Sequence, residues 1–210
     1  MEKYQIENVK VGPQGLADGS LTTARGGKSG ETIIGQAHGK YAEASMRGKI
    51  FVAANQTGCV WTIGLATTYT GCVVSNPAGS GVNLSILGAS FSEVVAPGGI
   101  QMAYLAGAYS ATAVTHSVPG VILPCLIGSG ATSQAKFDTG ATLPVAPAIL
   151  LPMTSGKTSA ALSTAACPAW TEVGGLITVA PGGFIAVCCF TVGAAVGQYG
   201  AIMWEEVPII

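Results

Sequence analysis

The sequence predicts an all-β fold, a sandwich or jelly-roll-like body behind an extended N-terminal arm, and three observations carry the prediction. The same five residues occur twice, as Val95-Ala96-Pro97-Gly98-Gly99 and Val179-Ala180-Pro181-Gly182-Gly183, each set between runs of apolar and β-branched residues. Proline fixes φ near −65° and glycine accepts the positive φ of a tight reversal, so each copy predicts a strand, a hairpin turn and a second strand. No stretch keeps a helical period, glycine and β-branched residues being too frequent. Turn residues punctuate the chain at short intervals, leaving about ten short strands, the pattern of a sandwich or jelly roll.

In chain order, residues 1–30 hold Gly12-Pro13, Gly15, Gly19, Gly26-Gly27 and Gly30 with few large apolar groups, and predict an extended arm with the body over 31–210. Strands are expected at Glu31–His38, Gly48–Ala54, Cys59–Ala66 and Gly71–Ser75, with a loop at Asn76–Gly81. Val82–Val95 follows as a long strand with Leu84, Ile86 and Gly88 on one face. Ile100–Tyr109, Val121–Ile127, Ala148–Met153, Trp170–Val179, Phe184–Val192 and Tyr199–Val207 complete the set, while Gly128–Pro147 reads as a surface loop. The two pentapeptides stand 84 residues apart, compatible with two similar halves of one sandwich.

Only 9% of the 210 residues are charged and 30 are glycine, against a usual charged share of about 25%. Twelve of the nineteen charges fall in residues 1–49; none lies between Lys49 and Glu93 or between Glu93 and Lys136. A body so poor in charge is expected to have much of its surface covered by partners, because interspersed charges keep free proteins apart. The net charge of −1 gives no drive toward nucleic acid or anionic lipid. Gly183–Trp204 is charge-free over 22 residues, but its glycines and lack of flanking Lys or Arg favour two strands over a membrane span. Met1-Glu2-Lys3-Tyr4 opens no apolar signal core, so the six cysteines are expected as free thiols, with Cys188 and Cys189 on opposite faces of a strand. Without export, the sequons at Asn55 and Asn83 carry no meaning.

Motifs that carry chemistry are scarce. Gly27-Lys28-Ser29 and Gly156-Lys157-Thr158 imitate the end of a phosphate-binding loop but lack its first glycine and a following helix. Two histidines, His38 and His116, and no Cys-x-x-Cys pair predict no metal site, and no cofactor is expected. No nucleophile elbow appears, and the body's carboxylates are chiefly Glu93, Asp138, Glu172, Glu205 and Glu206, a poor supply for an enzyme. Trp204-Glu205-Glu206-Val207-Pro208 reads as an edge strand ended by proline. Alternatively, Glu205 or Glu206 meets a basic residue of a neighbouring subunit, such as Arg25 or Lys28 of an arm. Arg25, Lys28, Trp204, Glu205 and Glu206 are therefore the candidate interface residues.

The stretches His38-Gly39-Lys40-Tyr41, Gly48 to Asn55, Ser75 to Gly81, Val179 to Gly183 and Trp204 to Pro208 resemble a family of structural proteins of tailed-bacteriophage virions. The resemblance implies a non-enzymatic, β-rich head decoration or cement protein on the capsid exterior. Its partners would be copies of itself, as in a trimer, and the major capsid protein, with no nucleic acid, membrane or small-molecule substrate. Two other classes stand beside it. A jelly-roll binding module, a tail or fibre subunit taking carbohydrate or receptor, would group exposed aromatics such as Trp61, Tyr104, Tyr109 and Trp170 around one loop end. An enzyme would show a carboxylate pair in a cleft or a hydrogen-bond network centred on His116.

Overall fold

The computed structural model describes residues 39–93, 100–157, 169–190 and 197–209. The chain divides into two compact units, Met1–Ala42 and Glu43–Ile210, of which the first is described only over 39–42. The predicted arm, Arg25, Lys28 and the expected strand Glu31–His38 lie outside the described residues.

Among the described residues the body is one single-turn helix and eleven strands. The helix is α1 (Ala42–Met46), whose Glu43 pairs with Arg47 one turn on. The first four strands are β1 (Ile50–Ala54), β2 (Thr68–Ser75), β3 (Val82–Glu93) and β4 (Ile100–Tyr109). Then come β5 (Thr115–Pro119), β6 (Ile122–Pro124) and β7 (Lys136–Thr142). The last four are β8 (Ala148–Lys157), β9 (Ala169–Val179), β10 (Gly183–Cys189) and β11 (Gln198–Pro208). They form a five-stranded sheet, β6-β1-β11-β3-β9, and a six-stranded sheet, β5-β7-β2-β10-β4-β8, antiparallel throughout.

This order is a jelly roll. The chain runs out through β1, β2, β3 and β4 and returns beside itself as β8, β9, β10 and β11. The pairs β1/β11 and β3/β9 fall in one sheet, β2/β10 and β4/β8 in the other. Strands β5, β6 and β7 are an insertion at the tip of that doubled ribbon and extend both sheets on the side away from β8 and β9.

The topology corrects the hairpin expectation. Val179-Ala180-Pro181-Gly182-Gly183 does not join neighbours in one sheet; it carries the chain from β9 in the five-stranded sheet to β10 in the six-stranded one. The local chemistry is nonetheless as expected. The Gly183 N–H donates to the Ala180 carbonyl at 2.9 Å, and Gly182 holds φ +87°, a type II turn with proline at its second position. The first pentapeptide lies largely outside the described residues, but β3 and β4 on either side of it also belong to different sheets. Leu84 pairs with Val179 and Gly183 with Tyr109, so the two strand-turn-strand units run antiparallel to each other.

The core between the sheets is built from inward alternates, among them Phe51, Leu84, Ile86, Phe91, Leu105, Phe137, Ile185, Val187, Ile202 and Trp204. A second apolar layer, with Val73, Tyr104, Ala106, Phe184, Ala186 and Cys188, lies on the far face of the six-stranded sheet. Strand β10 is therefore buried on both faces, which is why Gly183–Cys189 reads as a continuous apolar run rather than an alternating one. Cys188 and Cys189 take opposite faces as expected, and the five described cysteines are free thiols. No described helix is long and apolar enough to cross a membrane.

Four further expectations change. Cys59–Ala66 is not a strand: its backbone makes an isolated two-bond bridge from Cys59 to Gln198 of β11 and single bonds to Thr70 of β2 and Cys189 of β10, while Trp61 enters the core. Gly128–Pro147 is not merely loop, because β7 runs through it with Phe137 and Asp138 buried. Val121–Ile127 shortens to β6. Gly88 is offset from the face of Leu84 and Ile86 because β3 bulges at Leu87; Met203 pairs with Gly88 and Trp204 with Ile86.

Candidate interaction surfaces

The C-terminal strand places its candidate residues in different settings. β11 is a central strand, not the edge strand expected. Trp204 is buried in the core, stacked on Phe51 at 6.3 Å between ring centroids, and has no free surface to offer a partner. Glu206 is also buried, and its Oε1 accepts from the Ser133 hydroxyl at 2.5 Å and from the backbone N–H groups of Gln134 and Ala135 at 2.8 and 3.4 Å. It fastens the loop before β7 to the body rather than reaching toward another subunit. Replacing Glu206 with Ala should strand those donors and cost about 2–3 kcal/mol, read as a lower midpoint in urea with an unchanged slope. Glu205 alternates to the outer face of the five-stranded sheet, between Ile50 and Ser85, and is only partly buried.

That outer face carries an apolar row across four strands in register: Leu123 of β6, Val52 of β1, Met203 of β11 and Gly88 of β3. The Trp170 ring of β9 lies over Gly88, where a Cβ would come within 2.3 Å of it. Glycine is required there for the indole to lie flat on the sheet.

Two groups of exposed large apolar side chains lie at opposite edges, while Ile63, Phe190 and Tyr199 are exposed on or beside the central strands β10 and β11. On the insertion side are Val121, Leu123, Leu126 and Ile127, the last 91% exposed at the tip of the turn closed by the Ser129 N–H on the Leu126 carbonyl. On the other side β8 and β9 lie together, the Thr171 hydroxyl reaching the Met153 carbonyl. Here Tyr109, Ile149, Leu150 and Leu176 are exposed, Leu176 at 92%. Between them runs a groove of about 260 Å³ lined by Tyr109, Leu150, Ile177, Val179 and Phe184. All four sheet edges resist strand addition: β5 ends at Pro119, β6 is three residues long and ends at Pro124, β8 carries Pro152 and two register shifts, and β9 bulges over Val173–Leu176.

A polar centre sits where the insertion meets the body. His116 Nδ1 lies 2.5 Å from Asp138 Oδ2, and Asp138 is wholly buried with its other oxygen unpartnered. His116 also borders a cleft of about 510 Å³ with Thr132, Ser133 and Lys136. The carboxylate orients the ring, as in a catalytic dyad, yet among the described residues no Ser, Thr or Cys hydrogen-bonds to His116, so no nucleophile completes it. No group of three or more potential metal ligands occurs among the described residues. In a second polar cluster, buried Gln198 joins Glu93 to the backbone N–H of Trp61, and Asn55 accepts from the Gly200 N–H at 2.7 Å. This cluster ties the irregular 56–66 segment to β11 and β3. Its partners are distant in the chain, and no local motif announces it.

No known family, curated protein or solved structure matches this chain. Its functional reading therefore rests on surface and fold.

Proposed function

We propose that this chain is a non-enzymatic structural subunit of a tailed-phage virion, seated on the capsid exterior as a homo-oligomer that stabilises the shell through repeated contacts with itself and the major capsid protein. The observation that carries the proposal is the gathering of exposed Val121, Leu123, Leu126 and Ile127 at one edge and Tyr109, Ile149, Leu150 and Leu176 at the other, on a charge-poor body with edges closed to strand addition. Such a molecule associates by packing side chains rather than by extending sheets. Each interface removes apolar surface at about 25 cal/mol per Å², less the cost of association, and the gain recurs at every site of a symmetric shell. Jelly rolls serve in viral shells and in lectins alike, so the fold is compatible with the role without specifying it. Residues 1–30 supply an arm to a neighbouring subunit, with Arg25 or Lys28 meeting Glu205.

The binding-module alternative needs its aromatics at one loop end. Trp61 and Tyr104 are in the core, and Tyr109 and Trp170 stand at opposite ends of β9, on the order of 25 Å apart. The enzyme alternative has only the His116–Asp138 pair described above.

Light scattering on the full chain and on a version lacking residues 1–30 tests the proposal. The full chain should be an oligomer at micromolar concentration and the truncated one a weaker oligomer. A full chain that stays monomeric at about 100 µM would overturn the self-associating structural role.

A further inference from the structure

The two apolar edges differ in shape. At the insertion edge Ile127 projects from a tight turn, bracketed by Leu126 and Leu123. At the β8/β9 edge the surface is concave, with Tyr109, Leu150, Ile177 and Val179 lining the groove. We propose that the occupant of this groove is Ile127 of a second copy, so that subunits join head to tail, insertion edge to β8/β9 edge. The inference rests on the self-associating role proposed above and names the surfaces that would carry it.

The sizes agree. A groove of about 260 Å³ is smaller than a typical small-molecule site and has room for one or two aliphatic side chains. Its walls offer almost no polar group, so a small ligand would have little to orient it. Each edge exposes roughly 500 Å² of large apolar side chain, which with its polar rim approaches the ~800 Å² per partner of a stable interface. The edges face opposite ways across the sandwich, so the contact is heterologous: one copy offers the knob and the next the groove. Such a contact generates a ring when the rotation between copies closes, and a trimer is one such ring. Strand addition between the same edges is blocked by Pro119, Pro124, Pro152 and the bulges of β8 and β9, leaving side-chain packing as the mode of contact.

A heterologous junction has a diagnostic that a twofold contact lacks. Ile127→Asp removes the knob and leaves the groove; Leu150→Asp fills the groove with a charge and leaves the knob. In the full chain each variant alone should lose self-association, the dissociation constant rising at least about 30-fold as for a hot-spot residue. An equimolar mixture should recover one good junction and stop at a dimer. Both positions are well exposed, so far-ultraviolet circular dichroism should be unchanged; Tyr109→Asp, at an exposed residue that lines the groove, serves as the second groove variant should Leu150→Asp fail to fold. Variants that oligomerise like the wild type, or a mixture in which no dimer forms, would overturn the head-to-tail contact while leaving the structural role standing. A wild-type chain that is itself monomeric would overturn both.

Discussion

Between pH 9 and pH 10 the unfolding free energy of this protein should fall by about 3 kcal/mol. Cys72, Cys188 and Cys189 are fully buried, and burial, as the main cause, pushes their thiols from an ordinary value near 9 to about 12, about 11 and about 12. Burial also pushes the Tyr69 hydroxyl, which donates to the Val187 carbonyl, well above its usual range. The raised values mean that the folded chain keeps these groups protonated while the unfolded chain releases their protons. Their contribution is whole below about pH 9 and is lost as pH rises toward 11 to 12. Each thiol then lowers stability by about 1 kcal/mol over the first pH unit above 9 and by up to about 1.4 kcal/mol per unit above that, and three act together. Against a typical stability of about 5–15 kcal/mol, the fold should not survive much beyond pH 11. Urea titrations at pH 8, 9, 9.5 and 10 measure the slope, and Cys189→Ala should reduce it by about a third. A flat profile would mean that these thiols ionise without unfolding. In the same range thiol-specific reagents should modify the three cysteines only on the unfolding timescale.

Asn76→Leu should cost about 3–5 kcal/mol and lower the melting temperature by on the order of 10 °C. Asn76 is 1% exposed, and its amide Nδ2 donates to the Val82 carbonyl at 2.8 Å and the Val179 carbonyl at 2.9 Å. Its backbone N–H donates to the Gly183 carbonyl, and its own carbonyl accepts from the Gly182 N–H. The side chain thus joins the start of β3 to the end of β9, while the backbone of the same residue holds the turn that moves the chain between sheets. Leucine matches its size but leaves two buried carbonyls without donors, each worth about 1–3 kcal/mol. Asp at this position should be no better, since a carboxylate would face the same two carbonyls. Calorimetry on the two variants checks the prediction; a loss below 1 kcal/mol would show that water or backbone movement replaces the clamp.

Asn76 also shows where reading the sequence stops. It sits in Ser75-Asn76-Pro77-Ala78-Gly79-Ser80-Gly81, legible as a loop because Pro, Gly and Asn favour turns locally. That its amide spans to Val179, 103 residues on, is a fact of packing alone. The same division holds for the surfaces. Low charge and abundant glycine predict a body made to be covered, but the side of the sandwich on which Ile127 or Leu150 emerges depends on the strand order. Glu205 and Glu206 are neighbours in sequence and opposites in space, since alternation sends one to the outer face and the other inward to the 133–135 backbone.

By itself the sequence determined the class of fold, most of the strands, the turn chemistry of Ala180–Gly183 and the free state of the five described cysteines, because these follow from local propensity, period-two patterning and composition. The tertiary structure decided that the pentapeptide turns switch sheets, that β7 is buried, that β11 is central and that Trp204 belongs to the core. Those outcomes depend on which strands pair across long separations, and a turn's residues set its dihedral angles without choosing the sheet that its next strand joins.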